Sequence, residues 1–129
     1  MVRSDPGSSS NVRLGLVHAA HAAAATVNGV GVSRDGWRRI LVILDLGTMA
    51  NAGDSTINVQ TSVSLNGTYA TVTGATFTIP TGGADDDTVK WGVVDMEQQD
   101  EFVRVQIVAG ATGTSEAGAS IVFCNPKDG

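Results

Sequence analysis

Cysteine is almost absent from this chain. Cys124 stands alone, so no disulfide can form within it. Small secreted domains usually carry an even set of cysteines, so a lone thiol points to folding in a reducing cytosol. Basic residues are scarce too: eight Lys and Arg against thirteen Asp and Glu give a formal charge of −5 and an isoelectric point near 4.7. Proteins bind nucleic acid mainly by neutralising phosphates, and anionic membranes through basic clusters, so this balance speaks against both partners. Charge of either sign is thin. Only 16% of residues carry it, where about 25% is ordinary for a soluble domain. Long apolar runs are missing as well. Ile40 to Leu44 is the longest strongly apolar run, far short of a membrane span. The start, Met1-Val2-Arg3-Ser4-Asp5-Pro6-Gly7, lacks the apolar stretch of a signal peptide.

What is present is small, neutral and β-branched. The 129 residues are 42% hydrophobic, which suits one domain with a real core and no need for metal or disulfide staples. A surface so poor in charge favours a protein that neighbours partly cover.

Met1 to Asn11 reads as an extended arm of Asp-Pro-Gly and serines with nothing to build a core. The domain proper spans 12–129. Val12, Leu14 and Leu16 alternate with Arg13 and Gly15, as a half-buried strand requires. His18 to Thr26 is alanine-rich and could form a short helix, but the strand-and-turn sequence that follows, Val27 to Val32, favours extended structure. Trp37 to Leu46 is the strongest strand. Its centre is apolar on both faces, which predicts a central strand of a sheet covered on both sides. From Ser55 to Ser64, Ile57, Val59, Thr61 and Val63 alternate with Thr56, Asn58, Gln60 and Ser62. Asn66-Gly67 is a strong hairpin signal. Tyr69 to Thr73 and Ala75 to Ile79 are strand-like, with a bulge or bend expected at Gly74. Thr88 to Met96 and Glu101 to Val108 follow, the latter with Val103, Val105 and Ile107 inward. Gly110 to Gly118 reads as a turn region, and Ser120 to Cys124 as the last strand. About eight short antiparallel strands, with turns every 8–12 residues, define an all-β sandwich or jelly roll with an extended N-terminal arm.

Reactive constellations are hard to find. His18 and His21 lack further ligands at matching spacing. Asp85-Asp86-Asp87 does not spread its oxygens as a calcium loop does, and reads as a solvated loop. Glu97, Asp100 and Glu101 could hold a glycosidase acid and base, but they sit in a turn without cleft aromatics. No Gly-x-Ser-x-Gly elbow and no phosphate-cradling glycine loop is present. Cys124 reads as a small hydrophobe. These readings predict no enzyme, no metal and no cofactor. Trp37 and Trp91 read as core or interface anchors. Arg34, Arg38 and Arg39 form the one local basic cluster and the preferred partner-facing patch.

Further motifs run from Val32-Ser33-Arg34-Asp35-Gly36-Trp37-Arg38-Arg39-Ile40-Leu41-Val42 through Ser64-Leu65-Asn66-Gly67-Thr68-Tyr69 and Val93-Val94-Asp95. They end in Phe102-Val103-Arg104-Val105 and Asn125-Pro126. From about Val27 to Pro126 this layout resembles the capsid decoration, or cement, proteins of tailed bacteriophages. The match is one of loose turn-and-strand patterns. The alanine-rich segment and the aspartate run have no counterpart in it.

The resemblance implies a jelly-roll-like protein made in the bacterial host cytoplasm and placed on the outer capsid surface of the virion. There it would bridge subunits of the major capsid protein, with neighbouring copies of itself as dimers or trimers. A ligand of the assembled lattice stabilises that state by mass action. The arm would lie across a neighbour or add a strand to its sheet. The residues expected to meet partners are Val2, Arg3, Arg13, Arg34, Trp37, Arg38 and Arg39. The alternatives are a carbohydrate- or receptor-binding sandwich module of a phage particle, using Trp37, Trp91 or Tyr69, or a head–tail or tail component.

Overall fold

A computed structural model describes residues 12–49, 54–80 and 87–126. The chain forms nine strands: β1 (Val12–His21), β2 (Thr26–Asn28), β3 (Val32–Ser33), β4 (Trp37–Met49), β5 (Ser55–Ser62), β6 (Ala70–Ile79), β7 (Val89–Asp95), β8 (Phe102–Val108) and β9 (Ser115–Pro126). Sheet A has the order β1-β9-β4-β7. Sheet B has the order β2-β8-β5-β6, with β3 also on β8. Every pairing is antiparallel. Because β2 and β3 both run along β8, they act as one interrupted strand, so the architecture reduces to the expected eight. Apart from the β2–β3 step, β5 and β6 are the sole sequential neighbours in one sheet; other connections cross between sheets. This is the jelly-roll winding.

Alternation explains the core. In β8, Val103, Val105 and Ile107 are fully buried, and the residues between them are half-buried. They meet Ile40, Val42 and Leu44 of β4 and Ile121 and Phe123 of β9 in one cluster. Burying each such side chain contributes roughly 1.5–3 kcal/mol. The alanine-rich stretch is extended as far as His21. There Ala19 and Ala20 pair with Ala117 and Glu116, because tertiary pairing outweighs alanine's helix preference.

Three expectations are corrected and one is met. The last strand begins at Ser115, since the Gly110–Gly118 stretch leaves the turn early enough for Ser115 to pair with His21 and Met49. The hairpin expected at Asn66-Gly67 forms, joining β5 to β6 as an antiparallel pair. Its loop runs from Val63 to Tyr69 and closes through Gly67 N–H to Ser64 O at 3.1 Å. The separate strands around Gly74 are one strand, β6. Gly74 does supply the bend, with φ +82° and a register shift opposite Asn58 and Gln60. Finally, β4 is central, between β9 and β7, but among the described residues only one of its faces is covered, Ile40, Val42 and Leu44 being buried and Leu41 and Ile43 half-buried.

Candidate interaction surface

The outer faces of the two sheets are finished differently. On sheet B the outward side chains bond to each other. The Asn58 amide donates to Gln106 Oε1 (3.2 Å) and its oxygen accepts from Thr76 Oγ1 (2.9 Å). Gln60 donates to Thr71 and Gln106, and Gln106 donates to Asn28 Oδ1 at 2.9 Å. Arg104 Nε donates to Gln60 Oε1 at 2.8 Å, and its guanidinium lies 4.2 Å from the centroid of the Tyr69 ring. This ladder explains why Gln60 is buried although it lies on the outer face: its neighbours, not solvent, satisfy it.

Sheet A has no such ladder among the described residues. The register lays its outward side chains in rows across the four strands. One row runs Trp91–Ile43–Ser120–Leu14, and the next Val93–Leu41–Val122–Val12. Beyond them lie Val89 and Asp45 at one end, and Asp95, Arg39 and Cys124 at the other. Leu41 and Ile43 are half-buried, whereas Ile40, Val42 and Leu44 between them are sealed. Val12, Leu14, Val89, Trp91 and Val93 are 52–67% exposed. Singly exposed apolar residues are ordinary, but contiguous rows across a whole sheet mark an interaction surface. The other large exposed apolar residues, Val17, Val30, Val63 and Leu65, lie outside these rows.

The expected partner-facing arginines do not form one patch. Arg34 is buried. It donates through Nε to Asp100 O at 3.2 Å and through a terminal nitrogen to Gln99 O, while its backbone N–H meets Glu101 O at 2.8 Å. It therefore fastens the β7–β8 turn and cannot face a partner. Arg38 is exposed, with Nε 3.5 Å from Glu97 Oε1. Arg39 stands on the outer face of sheet A, in register with Asp95 and Cys124. Arg13 lies 5.9 Å from the Phe123 ring centroid. Trp37 stacks on the same ring with centroids 6.0 Å apart, so it is packed against the core edge. Val2, Arg3 and the arm lie outside the described residues, as do Asp85 and Asp86.

The other candidates separate as well. His18 Nδ1 lies 3.4 Å from Asp45 Oδ2 at the exposed end of sheet A. His21 is buried, with Nε2 3.0 Å from Ala117 O. The acidic turn is used structurally: Asp95 Oδ1 accepts from Glu97 N–H, and Glu101 accepts from the Ser33 hydroxyl. Among the described residues no three His, Cys, Asp or Glu side chains cluster as metal ligands. No described helix is long and apolar enough to cross a membrane. Sequence reasoning missed the apolar face because its residues come from four strands. The signal was present in Val89-x-Trp91-x-Val93, an alternating apolar set whose opposite positions are Lys90 and Gly92.

Fold and surface together define a jelly-roll sandwich with one polar outer face and one apolar outer face. Solved structures with this fold include the PBSX exported protein XepA, with TM-score 0.62 and 15% identity over 92% of this chain. This chain spans 41% of XepA's length. The SPBc2 prophage-derived protein YomS aligns with TM-score 0.51 and 16% identity, over 88% of this chain and 91% of its own. A protein of the disulfide-linked pili that form Bacillus endospore appendages aligns with TM-score 0.52 and 16% identity, over 90% of this chain and 88% of its own. At these identities the likeness is one of fold. No protein-family model and no curated protein sequence matches the chain.

Proposed function

We propose that this protein is a non-catalytic structural component of a phage-type particle, and that it acts by binding protein surfaces. The observation that carries this reading is the apolar outer face of sheet A, set against the self-satisfied polar face of sheet B. Leaving such rows in water is unfavourable, and covering them with a neighbour removes that cost. The solved structures of like fold are consistent with this setting: one is prophage-derived, one is an exported protein and one belongs to an assembled appendage. In its finer form, the proposal places the protein on the outer capsid surface, bridging subunits of the major capsid protein and stabilising the assembled lattice by mass action.

The test is composition of the particle. Particles purified from a lysate of the encoding strain should contain the chain in a fixed ratio to the major capsid protein. Removing it should lower the temperature at which heads release DNA. Particles that lack the chain altogether would refute the proposal. The sugar-binding alternative finds less support. Trp91 sits among aliphatic side chains, Trp37 is stacked on Phe123, and Tyr69 is covered by Arg104 while its hydroxyl donates to Leu65 O at 2.8 Å.

A further inference from the structure

We infer that the apolar face of sheet A is covered by the same face of a second copy, related by a two-fold axis that lies between the sheets and runs across the strands. The inference rests on the contact-protein reading above and names the partner.

Extent comes first. The strip leaves on the order of 600 Å² of apolar surface in water, the upper end of what monomers carry and close to the roughly 800 Å² per partner of a stable pair. It is also four strands wide. That suits the face-to-face packing by which two sheets stack about 10 Å apart.

The charges then choose the axis. Arg39 and Asp45 occupy opposite ends of the strip on β4, six residues apart and with Leu41 and Ile43 between them. Both are exposed. A two-fold axis across the strands reverses the strip end to end. It lays Arg39 over Asp45 of the copy, Leu41 over Ile43, Trp91 over Val93 and Val12 over Leu14. Each contact occurs twice, as an isologous interface demands. The other in-plane axis that covers all four strands runs along them. It would place Arg39 over Cys124 and Asp45 over Gly118, so that neither gains an opposite charge from the copy beyond its neighbour in the same chain, Asp95 beside Arg39 and His18 beside Asp45. Of the two, the transverse axis alone sets Arg39 against Asp45 and keeps the apolar rows in contact, with Asp95 laid over Val89 at the end of the edge strand.

Light scattering coupled to size exclusion tests this on the purified chain. At up to about 100 µM the wild type should have twice the mass of one chain. Trp91→Glu and Leu41→Glu should each give the single-chain mass with an unchanged circular dichroism spectrum. Arg39→Glu should weaken pairing more than about tenfold, because like charges then face each other. Asp45→Arg should do the same, and the double variant Arg39→Glu/Asp45→Arg should restore it. A wild type that stays single, or forms a larger ring, overturns the inference. So does a pair indifferent to Trp91→Glu and Leu41→Glu, or a double variant that fails to recover. The outcomes separate from those of the particle test. A single chain present in particles refutes the pairing alone, whereas a pair absent from particles refutes the particle role alone.

Discussion

The hydroxyls of Ser55 and Ser115 lie 2.8 Å apart, fully buried, and join the first residue of β5 in sheet B to the first residue of β9 in sheet A. Ser55 Oγ also accepts the backbone N–H of Gly110 at 2.9 Å. The pair is therefore a polar pin between two sheets whose shared core is otherwise mainly apolar. Ser55→Ala leaves the Gly110 N–H and the Ser115 hydroxyl without this partner in a dry site. It is expected to destabilise the fold by about 2–3 kcal/mol. Ser115→Ala removes one hydrogen bond and is expected to cost about 1 kcal/mol. The double variant should lose less than the sum. Urea denaturation of the three variants gives the comparison, and strictly additive losses would argue against a shared pin.

At Gly29 the chain beside sheet B comes close against β1 of sheet A. A Cβ there would lie 1.7 Å from Gly15 O and 2.8 Å from Val105 O. Both obstacles are backbone, so no side-chain rotation relieves them. Gly29→Ala should force β1 away from β2 and destabilise by roughly 3 kcal/mol or more, seen as a collapsed denaturation midpoint or as insoluble expression. Gly36→Ala gives the contrast. It has open space around it and a φ of +88°, so its cost is backbone strain alone, about 1–2 kcal/mol.

The two faces of sheet A make opposite predictions. Leu44 is sealed in the core, so Leu44→Ala should cost about 2–5 kcal/mol. Trp91 is far larger, yet Trp91→Ala should change stability by no more than about 0.5 kcal/mol in dilute protein, where copies are apart. Chemical denaturation measures both. A large loss at Trp91 under those conditions would mean that its ring is covered within the chain itself.

Arg34 is a structural clamp. Its guanidinium donates to the carbonyls of Gln99 and Asp100, and hydrogen bonds from a charged donor contribute about 1.5–3 kcal/mol each. Arg34→Ala should destabilise by at least about 2 kcal/mol and raise hydrogen exchange across residues 96–101. Arg38→Ala removes an exposed pair with Glu97 and should cost under about 1 kcal/mol. Equal effects at the two positions would contradict the burial difference.

Several features follow from the sequence alone. Strict alternation in β8 settles which of its residues enter the core, because side chains on a strand alternate with period two. The β-branched runs and turn residues define the strands, and the placement of β4 at the centre of a sheet follows from its apolar content. The bend at Gly74 follows from glycine's tolerance of positive φ. Tertiary structure alone decided the rest. Leu41 and Ile43 look like core residues in sequence, and Arg34 looks like a surface cation. Their fates depend on which strand lies opposite, and the partners of β4 stand some 50 and 80 positions further along the chain. Local periodicity says that a residue faces one side of a sheet. Whether anything lies on that side is set by long-range pairing, and that pairing gathers Leu14, Ile43 and Trp91 into one row that no other strand of the described residues covers.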